Sequence, residues 1–370
     1  MKKQISLLLC LALAFCVLAG CQPAAPAATT AAPTTAAPTT AAPATEAPTT
    51  AAPVTEAPTT AAPATTTTTP PPPTTAQEET AGPIKVGIIN NPPAESGYRE
   101  ANVKDMERVF TLANGYDAKA FYSITNDEQL NAARQFITEG VDYILLSAAA
   151  TDGWDAVFKS AQEAGIKVFL FDRMVNVAES LYEAAVVSDM RNQGETAVAW
   201  LIAQNLPEYN IVHIQGAMGS DAQIGRTDPL EEQFASGAMN KVIQQTATWD
   251  EAEAKKIVES VINSGEKFNI VYAENDGMAR GAAAALDEAG ISHGVDKDVI
   301  IMGFDCNRWA LEELLAGNWN YNGQCSPFQA SVIDEMIKGT RPIQKKVISE
   351  ERGVDAREIT QAVIDEIGLG

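Results

Sequence analysis

Lys167-Val168-Phe169-Leu170-Phe171-Asp172-Arg173 is a short apolar run that breaks off into a carboxylate and a guanidinium. It lacks polar alternation, so both of its faces want to be buried, as in a parallel strand covered by helices on each side. Similar runs lie at 85–89, 143–146, 184–187, 210–214, 269–272 and 299–304, with weaker ones at 117–122, 240–244 and 319–324. Amphipathic stretches separate them. Val103, Met106, Phe110 and Ala113 fall on one helical face and Gly115 follows as a left-handed terminator. Helices are also expected at 127–138, 154–164, 191–203, 252–263, 277–289 and 308–316. Strands alternating with helices predict an α/β protein with parallel sheets. There are too many strands for one doubly wound sheet of ordinary size, so two similar doubly wound parallel-sheet lobes are expected.

Ligands of open parallel sheets bind beyond the carboxyl ends of the strands. Those ends are polar here: Asn90 and Asn91, then Asp172 and Arg173, then Glu274, Asn275 and Asp276, then Asp305. Carboxylates that accept, guanidinium and amide groups that donate, and aromatic rings form the inventory that holds a polyol, whose hydroxyls both donate and accept. Trp249 and Tyr98 are the candidate stacking rings. Structural roles compete with binding at several positions. Asp276 opens the 277–289 helix and reads as its N-cap. Trp154 either packs the lobe or touches the ligand, Arg99 also suits a solvated helix, and Arg226 could pair with Asp221 or Asp228.

The chain has 370 residues and a net charge of −22. Lys2 and Lys3 precede an apolar run at 5–19 that is shorter than the roughly 20 residues needed to span a bilayer, so residues 1–20 read as an export signal. Leu18-Ala19-Gly20-Cys21 resembles the lipobox of bacterial lipoproteins, which implies a lipid on Cys21 and membrane attachment at the extracytoplasmic face. Residues 21–83 are almost entirely Ala, Thr and Pro; they cannot build a core and read as an extended, disordered tether. Residues 1–83 carry −2 (Lys2 and Lys3 against Glu46, Glu56, Glu78 and Glu79), which leaves −20 on the remainder. Such an excess argues against nucleic acid as a partner.

Cys306 and Cys325, the only cysteines beyond Cys21, could form a disulfide or remain two buried thiols. No metal site is expected, because His213 and His293 are the only histidines and neither has ligand spacing to a cysteine. His213 within Ile211-Val212-His213-Ile214 reads as a core residue. A dinucleotide site would want Gly-x-Gly-x-x-Gly after the first strand, where Asn90-Asn91-Pro92-Pro93 stands. No Gly-x-Ser-x-Gly elbow or histidine triad is present, so neither an enzyme nor a cofactor is expected.

Four landmarks in order, Glu139-Gly140-Val141-Asp142, Val168 through Arg173, Tyr272-Ala273-Glu274-Asn275-Asp276-Gly277-Met278-Ala279 and Met302-Gly303-Phe304-Asp305, resemble the type I periplasmic sugar-binding proteins of the ribose and galactose class. Glu95-Ser96-Gly97-Tyr98-Arg99 and Thr151-Asp152-Gly153-Trp154-Asp155 are similar to the galactofuranose-binding branch. The resemblance implies a monosaccharide held between two lobes joined by a multi-crossing hinge, in a monomer that serves the permease and ATPase of an ABC importer. A receptor reporting to a chemosensor or histidine kinase is the rival role, and an acidic sugar the rival ligand. The lobes are expected at 84–188 plus about 325–355, and at 189–324 plus about 356–370. Arg99, Asp172, Arg173, Arg226, Asn275 and Asp305 are implied sugar contacts, with Trp249 as stacking ring and Gln324 as a polar contact; Tyr98 joins them, and Asn91, Glu95, Trp154 and Asp276 are secondary candidates. After Arg226 the family's glycine and aromatic are replaced by Asp228-Pro229-Leu230, and two prolines interrupt 90–93.

Overall fold

The computed structural model describes residues 82–370; the expected signal, Cys21 and all but the last two residues of the tether lie outside the described residues. Among the described residues twelve strands form two sheets of six. In the first lobe these are β1 (Ile84–Asn90), β2 (Tyr116–Tyr122), β3 (Tyr143–Leu146), β4 (Lys167–Asp172) and β5 (Ala184–Val187). The second lobe has β6 (Asn210–Gln215), β7 (Asn240–Thr246), β8 (Ile270–Ala273), β9 (Ile300–Asp305) and β10 (Tyr321–Gln324). Two short late strands complete them, β11 (Lys346–Ile348) in the first sheet and β12 (Gly353–Asp355) in the second. The orders β11-β5-β4-β3-β1-β2 and β12-β10-β9-β8-β6-β7 are the same pattern twice. All pairings are parallel except β10 with β12.

Alternate residues of the strands bury on opposite faces, which is why their sequences lack polar alternation. Val86, Ile88, Phe169 and Phe171 pack with Met106 and Val109 of α1 (Gly97–Val109). Ile89, Val168 and Leu170 pack instead with Leu130 and Phe136 of α2 (Asn126–Glu139) and with Val157 and Phe158 of α3 (Asp155–Glu163). The second lobe repeats this with α4 (Met190–Ala203), α5 (Asp221–Ser236), α6 (Glu251–Ser264), α7 (Asp276–Ala289) and α8 (Arg308–Leu315). The helix α9 (Ala330–Ile337) returns to the first lobe's core, whereas α10 (Gln361–Ile367) closes the second. Helices α1, α4, α5, α6 and α7 begin at side-chain caps, Ser96, Asp189, Ser220, Asp250 and Asn275, that satisfy free N–H groups beside the strand tips.

The chain crosses between lobes after β5, after β10, and between Ile348 and Gly353. The last crossing is earlier than the expected boundary near 355, because β12 pairs antiparallel with β10 and so belongs to the second lobe. Cys306 and Cys325 are both free, buried thiols. His213 is buried in β6 with its Nε2 2.9 Å from Glu274 Oε1. Among the described residues no helix is long and apolar enough to cross a membrane, and no cluster of ligating side chains could hold a metal.

Candidate functional site

Asp172 at the tip of β4 and Asp305 at the tip of β9 line one narrow shared cavity of about 20 Å³, far below the roughly 300–1,000 Å³ usual for ligand sites. The first lobe contributes Glu95, Ser96, Tyr98, Asp172 and Arg173 to its wall. The second contributes Ala222, Arg226, Trp249, Asn275 and Asp305, and Cys325 stands at the second crossing. The cleft is shut. Thr151 N–H donates to the Gly219 carbonyl at 3.0 Å, and Met174 N–H to Asp221 Oδ2 at 2.8 Å, each bond joining one lobe to the other.

Asp172 ends β4 in the left-handed region, φ 65°, a conformation few non-glycine residues adopt. Tyr98 Oη donates to its Oδ1 at 2.7 Å and Ser147 Oγ to its Oδ2 at 2.7 Å. Arg99 Nη2 lies 2.7 Å from Oδ2. Burial alone would raise this carboxyl's pKa, but Arg99, Arg173 and the two hydroxyls hold it down at about 2. The site therefore presents a fixed anion. Tyr98 leaves α1 of the first lobe, yet its ring packs in the second lobe's core, so its hydroxyl marks the seam between lobes.

Arg99 does not line the cavity. Its Nε lies 3.2 Å from Glu95 Oε2, and its Nη1 donates to Asn90 Oδ1 at 2.8 Å and Asn102 Oδ1 at 3.0 Å. Completely buried, it pairs with Asp172 and Glu95 from behind and does not take the solvated helix position. Arg173 is the partner that reaches the cavity: its guanidinium stands 5.9 Å from the Trp249 ring centre, close enough for a cation–π contact.

In the second lobe Arg226 projects from α5. Its Nε donates to Gln193 Oε1 at 2.9 Å, its Nη1 to the Glu274 carbonyl, and its Nη2 to Asp305 Oδ1 at 3.2 Å. The expected pairings with Asp221 and Asp228 are replaced by this one. Asp305 ends β9 at φ 104°. Burial raises its pKa, opposed by Arg226. Trp249 follows β7 at φ 70° and lies flat on Gly216, where a Cβ would stand 1.9 Å from the indole. Its Nε1 is buried and has no partner among the described residues.

Asn275, not Asp276, caps α7: its Oδ1 accepts from Met278 N–H at 2.7 Å while the side chain lines the cavity. Asp276 accepts from Asn307 N at 2.8 Å and Asn307 Nδ2 at 3.0 Å and bonds Asn322, tying β9 and β10 together beneath the site. Asn91 lies behind Glu95, donating to its Oε1 at 2.6 Å. Trp154 is wholly buried in the first lobe, donating to the Ala150 carbonyl at 3.0 Å. Gln324 lines a separate pocket beside Gln193 and Glu351 and not the cavity. Ser96, Ala222 and Cys325 line the cavity without having been singled out in the sequence; a small residue at a strand or helix tip carries no distinguishing signal.

Residues 86–331 match the sequence family described as the periplasmic binding protein domain. The chain is 32% identical over 280 residues to the galactofuranose-binding protein YtfQ of Escherichia coli, covering 71% of this chain and 85% of that one. It is 30% identical over 297 residues to the fructose import binding protein FruE of Bifidobacterium longum, covering 76% and 88%. A solved galactofuranose-binding protein superposes with a TM-score of 0.69 at 27% identity, covering 77% of this chain and 98% of that one. An arabinose-transporter binding protein from Shewanella, bound to L-arabinofuranose, gives 0.68 at 26%, covering 76% and 95%. Two lobes of matching topology shut on a polar cavity, in a chain most of which matches that one family, establish that this protein belongs to the periplasmic binding proteins.

Proposed function

We propose that the protein is the substrate-binding component of an ABC-type sugar importer, held outside the cytoplasm by a lipid on Cys21, and that it captures one neutral monosaccharide between its lobes as a monomer. The observation that carries this reading is the shared cavity, whose wall comes from both lobes and offers Asp172, Arg173, Arg226, Asn275 and the unpartnered Trp249 Nε1 around one small space. Relatives named for galactofuranose and fructose, and a neighbour bound to arabinofuranose, favour a furanose ring.

Charge favours a neutral ligand over an acidic one. Arg99, Arg173 and Arg226 are matched by Glu95, Asp172 and Asp305 within the same buried cluster, so no guanidinium is left wanting an anion. Ligand adds contacts to both lobes only when they are shut, so it shifts the population toward the closed form that a permease can read.

A thermal-shift screen of D-galactose, D-fructose, L-arabinose, D-ribose and the uronates tests this. One neutral sugar should raise Tm progressively with concentration, as mass action requires. Stabilisation by a uronate alone would overturn the neutral ligand, and no response to any carbohydrate would overturn the sugar.

A further inference from the structure

Behind the cavity the three chain crossings meet at one carboxylate. Glu351 lies in the third crossing; its Oε1 accepts from the Ser188 hydroxyl at 2.6 Å and from Ser326 N–H at 2.8 Å. Ser188 follows β5 and Ser326 follows β10, so one side chain ties the first and second crossings to the third. The other oxygen, Oε2, accepts from Gln193 Nε2 at 2.6 Å. Gln193, on α4 and buried, passes the connection on, since its Oε1 accepts from Arg226 Nε–H at 2.9 Å.

The polarity of this chain of bonds is fixed. A guanidinium can only donate and a carboxylate can only accept, so an amide placed between them has one orientation, oxygen toward Arg226 and nitrogen toward Glu351. We propose that Glu351 and Gln193 are positioning residues: the hinge carboxylate orients the Gln193 amide, which holds Arg226 in its cavity-facing pose and links the hinge to the ligand site. The consequence for sugar binding rests on the reading of the cavity as a sugar site; the positioning of Arg226 does not.

Glu351→Gln puts an NH₂ among donors. It faces Gln193 Nε2, or it faces Ser326 N–H on the other side, or Gln193 turns over and presents its NH₂ to Arg226 Nε; each leaves a buried donor unpaired. Adding Gln193→Glu restores an acceptor between the amide now at position 351 and Arg226, and returns the carboxylate to the network. The exchange of charge and amide between the two positions should therefore rescue what each single change damages, an outcome that mere crowding at the hinge would not produce.

The test uses the purified protein with two readouts: the Arg226 Nε–H resonance in the ligand-free state, assigned by Arg226→Lys, and Kd for D-galactose, D-fructose, L-arabinose and D-ribose. Glu351→Gln and Gln193→Glu should each shift that resonance and weaken the best sugar by about 10- to 100-fold, and the double variant should return both to within about threefold of the original. An unmoved resonance in Glu351→Gln, or a double variant as impaired as the singles, overturns the proposal. Should Glu351→Gln not fold, Gln193→Met cuts the relay and leaves the hinge carboxylate; an unmoved Arg226 resonance there is equally fatal. If none of the four sugars binds the unaltered protein, the sugar reading fails while the resonance still decides the relay.

Discussion

Asp172 and Asp305 occupy equivalent places in the two lobes. Each is the last residue of the strand next to a hinge-leading strand, β4 beside β5 and β9 beside β10. Each has a left-handed backbone, φ 65° and 104°, and each meets an arginine borne on a helix of its own lobe, Arg99 or Arg226. The environments then diverge. Asp172 is held at a pKa of about 2 by two guanidinium groups and two hydroxyls, whereas Asp305 is raised by burial, with Arg226 the main group against it.

Replacing Asp172 should therefore harm folding as well as binding. Asp172→Asn removes the charge opposite a fully buried Arg99, and breaking a buried pair in this way costs about 3–5 kcal/mol. Urea unfolding should report that loss, and titration with the best sugar should show affinity reduced by at least about 30-fold. A variant with unchanged stability would mean that Arg99 is served by Glu95 and its amide partners alone.

Stability should pass through a maximum as pH varies. The folded pKa of Asp172 lies below the unfolded value near 3.9, so its contribution is complete above that value and disappears as pH falls toward 2. Asp276 and Asp305 are raised, by burial first, with Asp305 adding its charge at Asp276 and Arg226 opposing at Asp305. Their effect has the opposite sign, present at low pH and lost as pH rises above the ordinary carboxyl range. Urea midpoints of the ligand-free protein should thus climb as pH drops from about 8 toward 5, then fall below about 4. A midpoint that rises steadily over the same range toward higher pH contradicts the raised pair.

Trp249 offers a steric test. Gly216→Ala places a methyl where the indole lies, and overpacking of this kind costs about 1–3 kcal/mol. The ring must move into the cavity, so tryptophan emission should shift and sugar affinity should fall by about 10-fold or more. Gln324→Ala is the contrasting case. Gln324 lines a separate pocket and not the cavity, and the variant's sugar affinity should stay within about twofold of the original.

The parallel lobes were legible because buried strands such as Val168 to Phe171 carry no polar alternation, and because aspartate and asparagine stand at their tips where a core would exclude them. Less could be read where local and tertiary signals conflict. Helix α5 contains Pro229 and Gly225, which weaken helix propensity, yet a Cβ on Gly194 of α4 would stand 2.5 Å from the Gly225 carbonyl, so close helix packing overrides propensity. Strands β11 and β12 have three residues each, too short for any periodicity. Whether an arginine faces a cavity or sits behind it depends on which neighbours reach it. Arg99 and Arg173 look alike in sequence, and only the convergence of Glu95, Asn90, Asn102 and Ser147 on Arg99 separates them.

The most direct measurement is a crystal structure of the protein with the sugar that stabilises it most. The expected result is one monosaccharide between the lobes, its hydroxyls bonded to Asp172 and Arg173 on one side and to Arg226 and Asn275 on the other, with Trp249 against its face. A sugar bound outside this space, or held by one lobe alone with the cavity unfilled, would contradict a receptor that works by shutting two lobes on its ligand.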